Sequence, residues 1–315
     1  MPEPILAGGT PARESDVCAV VVTYHPDTKL LAAQLEALQV QARCVVVVDN
    51  ATPGPSVRAL CGERPNVELL ALGGNAGLAA ALNAGIAAAR AKQDIAYVLL
   101  MDQDSVPEPG MVTALKAALH RQSRHVRVAA VGTRFRDPRE GVDAPFVRVR
   151  FPINRQLHCS GACDEVACDF LITSGSLVPL EVLDRVGGMD ESLFIDNVDL
   201  EWCFRATSRG YALFGVCGAR MLHHHGAARH RLPGVPRGVV VHTPRRLFYM
   251  MRNRVLLYRR AYTPRRWIAQ DVPRLVVKFA LFALLIAPRR KNVRCMLAGL
   301  RAGIAGQATP PPDID

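Results

Sequence analysis

The sequence predicts an α/β protein. A Rossmann-like, mostly parallel sheet flanked by helices would carry a basic and apolar helical appendage at its C-terminal end. Three observations carry this expectation. Short β-branched runs alternate with helical periodicities over roughly residues 15–135, the pattern of a doubly wound sheet. The 315 residues, half of them hydrophobic, suffice for one large domain, alone or with an appendage. The character of the chain then changes: from Arg220 to Arg301 there are 19 Lys or Arg against one acid, Asp271.

The elements follow in order. Val17 to Thr23 is a short apolar run and reads as a buried strand. Leu30, Leu31, Leu35 and Leu38 give Lys29 to Leu38 helical spacing. Cys44 to Val48 is a second buried strand, stopped by Asp49-Asn50 and a turn-rich TPGP; Val67 to Leu70 is a third. The alanine-rich Gly77 to Ala91 reads as a helix, Ile95 to Met101 as a strand stopped by DQDSVPEPG, Met111 to His120 as a helix, and Val126 to Val131 as a strand. Residues 136–165 read as irregular, and Phe170 to Leu177 is apolar but interrupted by Ser174-Gly175-Ser176. Leu180 to Val186 and Val198 to Arg209 read as helices, and Pro244 to Ala261 as a basic, partly aromatic one. Leu275 to Ala287 is strongly apolar, but at 13 residues including Lys278 it falls short of the ~20 that span a bilayer. The division expected is a tail over 1–16, a catalytic domain over 17–260, a helical membrane-proximal appendage over 261–305 and a tail over 306–315.

The net charge of +11 is concentrated in the C-terminal third, which suggests an anionic partner there: phosphates, a membrane surface or nucleic acid. The N-terminal residues lack the charged and apolar regions of a signal peptide. Nine cysteines without a regular framework fit a reducing cytosol. His158, Cys159, Cys163 and Cys168 lie close in sequence, but without a CxxC pair the expectation is free thiols rather than zinc.

In a doubly wound sheet, ligands bind beyond the carboxyl ends of the strands. The polar residues there are Thr23-Tyr24, Asp49-Asn50 and Asp102-Gln103-Asp104, so all three groups should meet at one crevice. Two carboxylates two residues apart offer hard oxygens to Mg²⁺ or Mn²⁺, which complete their shells with substrate phosphates; an acidic turn is the plainer reading. Asp49 can accept the imide N–H of a pyrimidine, or bond its own backbone. Gly73-Gly74-Asn75-Ala76-Gly77 precedes a helix and allows a backbone to approach a phosphate, though it is not GxGxxG. Asp199 and Glu201, two apart on a helix, face different ways, so one can face a crevice while the other pairs with an Arg. Any of His223, His224 and His225 is a possible metal ligand. The arginines of MMRNRVLLYRR suit a pyrophosphate, or solvent and lipid headgroups.

The order VVTYHPD, VVDNAT, GGNAGLAAALNAGI, LLMDQDS, ITSGSL, FIDNVDLEWCFRATSRGY and HHHG resembles the family 2 glycosyltransferases of GT-A fold, over roughly residues 17–260. The pairing of MDQDS with FIDNVDLEWCFR is similar to the rhamnosyltransferase branch. The resemblance implies that Thr23, Tyr24 and Asp49 hold the nucleotide and that Asn75 and Gly77 lie against the donor. It implies that Asp102 sits near ribose or metal and that Asp104 binds the metal. Asp199 would be the catalytic carboxylate, with Glu201 its helix neighbour, and His223 the metal-side histidine, keeping HxxG spacing to Gly226. Arg252 and Arg254 are added to the donor site on charge alone. The donor implied is dTDP-rhamnose, and the acceptor a glycan or polyprenyl-diphosphate-linked sugar of cell-surface polysaccharide. The basic, apolar C-terminal segment suggests an interfacial helix, hence a cytoplasmic protein peripheral to the inner face of the membrane. A different donor, UDP-hexose or UDP-galactofuranose, keeps the fold and mechanism. A nucleic-acid-binding protein would use the basic region, but no recognition motif accompanies it.

Overall fold

A computed structural model describes residues 13–139, 141–159, 164–224, 229–232 and 235–307, with side chains described outside 225–238. The chain opens as β1 (Glu14–Thr23), α1 (Thr28–Gln39), β2 (Ala42–Asp49), α2 (Ser56–Gly62), β3 (Val67–Ala71), α3 (Leu78–Arg90) and β4 (Tyr97–Asp102). It continues with β5 (Ser105–Pro107), α4 (Met111–Ser123), β6 (Val128–Arg136), β7 (Phe146–Arg148), β8 (Arg155–Leu157), β9 (Glu165–Cys168), β10 (Ser176–Pro179), α5 (Leu180–Val186) and α6 (Val198–Ser208). β11 (Ala212–His223), a hairpin of β12 (Arg229–Leu232) and β13 (Val235–Val240), and helices α7 (Pro244–Tyr258), α8 (Arg265–Leu284) and α9 (Arg289–Ala305) complete it.

β1 pairs in parallel with β2 and β4, and β2 with β3. Val17 to Val21 and Val45 to Val48 are fully buried, as strands covered on both faces must be. Side chains alternate between faces with period two. Val17, Ala19 and Val21 meet Leu31 and Leu35 of α1 and Leu115 of α4. Cys18, Val20 and Val22 meet Leu82 and Ile86 of α3 and Phe204 of α6. β1 starts at Glu14, earlier than expected, because Lys116 pairs with Glu14 at 2.9 Å and Asp16 at 2.6 Å.

Beyond β4 the sheet becomes mixed. Its order is β3-β2-β1-β4-β10-β6-β11-β5, with β9 on β11. β10 runs antiparallel between β4 and β6, so the strand expected at 126–131 does not neighbour β4. The irregular segment folds partly into the β7–β8 hairpin and β9. One cysteine expectation is corrected: Cys159 is bonded to Cys217, tying this segment to β11, which leaves no free thiol at 159 for zinc. Cys163 lies outside the described residues, and Cys168 is buried on β9.

The C-terminal helices form their own layer. α7 packs so closely on α9 that a Cβ on Gly299 would stand 2.3 Å from the Phe248 carbonyl oxygen. Only glycine allows that approach. Leu247 and Met251 of α7 share an apolar cluster with Leu275 and Phe282 of α8 and Met296 of α9. Among the described residues, no helix is long and apolar enough to cross a membrane.

Candidate active site

Register brings the strand ends together. Thr23 lies opposite Asp49, and Val22 opposite Asp102. Thr23 Oγ1 donates to Asp49 Oδ1 at 3.0 Å, and the Thr52 amide approaches the same oxygen at 3.3 Å. Asp49 is therefore aimed, with Oδ2 unbonded among the described residues. Gln103, between the two aspartates, turns the other way. Its side chain accepts from the Tyr24 amide at 2.6 Å and donates to the Tyr24 carbonyl at 3.1 Å, tying β4 to β1. The Tyr24 ring itself is 46% exposed.

Asn75 and Gly77 are anchored by β2. Asn50 donates to Asn75 Oδ1 at 3.0 Å and accepts from the Ala76 amide at 2.8 Å. Gly77 has φ +87°, and a Cβ there would stand 2.5 Å from the Phe194 ring. The Leu78 amide donates to the Phe194 carbonyl at 2.6 Å, so the head of α3 is capped by the loop before α6. The Phe194 loop thus covers the helix side of this glycine-rich turn.

The acidic centre sits where β4 meets β5 and β11. One ligand atom each from Asp102, Asp104 and His223 lie within 4.8 Å of one another. Asp104 Oδ1 is buried, accepts no hydrogen bond, and stands 3.4 Å from His223 Nδ1. An orphaned carboxylate oxygen beside a second carboxylate and an imidazole suits a divalent cation, which takes carboxylate oxygens and imidazole nitrogens as ligands. Behind them Ser174 accepts from the Asp102 amide at 3.1 Å and donates to Ser105 Oγ at 2.7 Å, which lies 2.6 Å from His223 Nδ1. This hydroxyl relay orients the imidazole, as outer partners of metal ligands do. Burial, then the charges of Asp104 and Asp199, push the Asp102 carboxyl up to about 7, against the pull of Arg246. His224 donates its amide to the Asp104 carbonyl at 2.8 Å, and His225 and Gly226 lie outside the described residues.

The opposite wall is the head of α6. Asp199 accepts from the Leu200 amide at 2.8 Å, and burial pushes its carboxyl up to about 6. Its charge is felt at Asp102. Glu201, two residues on, is held elsewhere: it is 1% exposed, accepts from Arg205 at 2.8 and 2.9 Å and from the Tyr262 hydroxyl, and so ties α6 to the C-terminal layer. Before α6, Phe194, Asp196 and Asn197 all take positive φ, 62°, 66° and 63°. Such conformations cost about 1–3 kcal/mol each and persist where surroundings impose them. Asn253 imposes these: its Nδ2 donates to the carbonyls of Leu193, Ile195 and Asp196 at 2.7–2.8 Å.

The assignment of Arg252 and Arg254 to the donor is corrected by their positions. Arg252 is 1% exposed, donates to the carbonyls of Ser192 and Leu193 at 2.6 and 3.0 Å, and lies over the Tyr249 ring. Arg254 pairs with Asp271 at 3.1 Å. The arginine that faces the acidic centre is Arg246, missed in the sequence. It grips Asp196 at 2.9 and 3.0 Å, and its own charge is favoured by Asp102 and Asp104. Its signal was the stop-and-start motif His242-Thr243-Pro244: Thr243 caps α7 and sends Arg246 back along the first turn. Ser105 and Ser174 were missed as well; nothing in their local sequence distinguishes a relay from a turn.

Residues 18–174 match the domain described as glycosyl transferase family 2. The chain is 29% identical over 293 residues to the dTDP-rhamnosyl transferase RfbF of Shigella flexneri, covering 93% of this chain and 95% of that protein. It is also 29% identical over 253 residues to the N-acetylglucosaminyl-diphospho-decaprenol L-rhamnosyltransferase of Mycobacterium tuberculosis, covering 70% of this chain and 80% of that one. Among solved structures it resembles GalNAc-T7 with UDP, GalNAc and Mn²⁺, with TM-score 0.57 and 11% identity. That match covers 94% of this chain but only 58% of the other. It likewise resembles residues 1–349 of S. aureus TarS, with TM-score 0.54, 13% identity and coverage of 93% and 92%. At these identities the structural likeness is one of fold, the GT-A arrangement expected from the sequence.

Proposed function

The chain belongs to glycosyl transferase family 2, and on that premise we propose that it moves L-rhamnose from dTDP-rhamnose to a sugar carried on a lipid diphosphate, with inversion at the anomeric carbon. The observation that carries the reading is one juxtaposition. The Asp102–Asp104–His223 cluster lies at the strand ends, and Asp199 stands within electrostatic reach of it on α6. The relatives named for rhamnosyl transfer supply the sugar.

In this reading Asp49 Oδ2 accepts the imide N–H of thymine, with Thr23 fixing its partner oxygen. Asp199 takes the proton from the acceptor hydroxyl as that oxygen bonds to the anomeric carbon. The bond from that carbon to the diphosphate oxygen breaks at the same time, so the electron pair leaves with dTDP and the proton ends on the carboxylate. Asp104 and His223, with Asp102, would hold a Mg²⁺ or Mn²⁺ ion, which supplies positive charge to the departing diphosphate. Arg246, already aligned by Asp196, adds a fixed cation beside it. The exposed Leu284, Leu285 and Ile304, next to Arg289, Arg290, Lys291 and Arg301, suit the anionic surface on which a lipid-linked acceptor resides. This would place a protein of the cytoplasm at the inner face of the membrane.

The test is thermal melting of the protein against nucleotide sugars with and without Mg²⁺ or Mn²⁺, since a ligand of the native state raises the melting temperature. A metal-dependent rise with dTDP-rhamnose and little with UDP-sugars is expected. A rise only with a UDP-sugar discards rhamnose, and no rise with any donor overturns the assignment.

A further inference from the structure

The basic C-terminal layer holds a feature that the transfer chemistry does not use. Between β13 and α8 runs a groove of about 410 Å³, within the usual size of small-molecule sites. Val240, Val277, Leu281 and Phe282 give it an apolar lining, and Arg274 and Lys278 stand on its wall. The two cations recur one helical turn apart on α8, while Val277 shares their exposed side at 67% exposure. Neither has a carboxylate partner among the described residues: Arg274 bonds only the Gln270 side chain, at 3.2 Å. His242, also in the lining, is pushed down to about 4 by burial and by Lys278, so it is neutral at pH 7 and adds no charge.

Two of the groove's lining residues, His242 and Lys278, lie within electrostatic reach of Asp196 and Arg246. Burial, then the charges of Arg254 and Arg246, push the Lys278 ammonium down to about 8, against the pull of Asp196 and Asp271. Arg246 and Asp196 are the pair that faces Asp102 and Asp104. His242 leads through the Thr243 cap into α7, so Arg246 follows it by four residues. An apolar groove with two cations on its wall, neither bonded to a carboxylate among the described residues, thus lies within electrostatic reach of the Arg246–Asp196 pair beside the acidic centre. That combination of environments fits one kind of molecule, in which a hydrocarbon chain is joined through a diphosphate to the group that reacts. A bare phosphate leaves the apolar lining unused, and a neutral lipid leaves the cations unpaired.

We propose that the groove between β13 and α8 holds the isoprenoid chain of a diphosphate-linked acceptor, with Lys278 and Arg274 on its diphosphate and the reacting sugar directed toward Asp199. The inference rests on the acceptor class in the reading above, and it adds the surface that selects it.

Farnesyl diphosphate serves as the probe, titrated calorimetrically against the full chain in metal-free buffer with chelator. The acidic centre then holds no cation to bind a diphosphate. We expect it to bind at least about tenfold more tightly than inorganic diphosphate, since the chain adds apolar contact. Val277→Asp should remove that advantage, and Val277→Trp should do the same by filling the groove without adding charge. Val276→Asp, on the neighbouring 63% exposed position outside the lining, should leave binding unchanged. Lys278→Ala should weaken both probes about tenfold, and Lys278→Arg should restore them. Equal affinity for the two diphosphates, or no binding of either, overturns the proposal. Equal weakening by Val276→Asp and Val277→Asp also overturns it, and marks a general bilayer-facing surface instead. The donor melting shift is read in the wild type and in the same variants: its absence in the wild type would sink the rhamnosyl reading, whereas its presence alongside failed farnesyl binding would sink only the groove.

Discussion

The two walls of the crevice are built by different means. On the strand-end wall, polar groups satisfy one another over short distances in the sheet: Thr23 to Asp49, Asn50 to Asn75, Ser174 to Ser105 to His223. On the α6 wall, the loop that aims Asp196 and Asp199 is held from outside, by Arg252 and Asn253 reaching from a helix some sixty residues on. The first wall is a property of the doubly wound sheet. The second exists only once α7 has docked, so its residues are fixed by tertiary packing and not by local pattern. The lesson is that the metal-side geometry should survive damage to the C-terminal layer, while the base-side geometry should not.

The largest effects should come from the reacting groups on either wall, and they should differ in kind. Asp199→Asn removes the proton acceptor of the proposed mechanism and should lower kcat about 10²–10⁴-fold, with the metal-dependent melting shift from dTDP-rhamnose intact. Asp104→Asn should abolish that shift as well as transfer, because the buried Oδ1 that lacks a hydrogen bond is the oxygen a cation would take. If Asp104→Asn keeps its shift, the metal does not sit at this cluster.

A smaller pair of variants compares the supports. Ser105→Ala breaks the relay to His223 Nδ1 and should weaken metal affinity about 10–100-fold, with kcat recovered at saturating metal. Asn253→Ala removes three carbonyl partners at once. It should cost about 2–4 kcal/mol of stability and depress kcat without changing the metal concentration needed. The two defects should not exchange: added metal rescues Ser105→Ala and leaves Asn253→Ala impaired. Rescue of both by metal would show that the walls are one unit.

The same division governs what was legible beforehand. Val17–Thr23, the four valines before Asp49 and the apolar run before Asp102 announce the first wall directly, since buried parallel strands read as unbroken β-branched runs. Asp199 and Glu201 were read from FIDNVDLEWCFR as facing different ways on a helix, and they do: Glu201 pairs with Arg205, while Asp199 accepts from the Leu200 amide. What escaped was everything set by long-range contact. β10 inserts antiparallel between β4 and β6 because the chain makes a long excursion first, and no four-residue strand shows its direction. Arg252 and Arg254 looked like phosphate ligands because charge alone does not say which arginines will be buried against carbonyls. The Cys159–Cys217 bond joins residues 58 apart and has no spacing signature.

The smallest predicted effect separates the functional cost of the second wall from its structural role. Burial raises the Asp199 carboxyl to about 6 in the folded protein, whereas in an unfolded chain an aspartate titrates near ~3.9. The folded state thus holds this proton more tightly than the unfolded state does. Its contribution to stability is fully present below the unfolded value and is lost as pH rises through about 6. An ionised Asp199 is therefore a strained feature at neutral pH, and Asp199→Asn should melt higher than the wild type at about pH 8, by a few degrees. The advantage should shrink below about 6 and vanish near ~4, where the wild-type group is protonated in both states. Transfer by the wild type should follow the opposite course, with kcat/KM rising with pH through the same region as the base becomes available. Melting curves of both proteins across this range, without metal, decide the matter. A gap that stays constant with pH would mean that Asp199 is not held in a medium that penalises its charge, and its selection as the base would then need a cause other than burial.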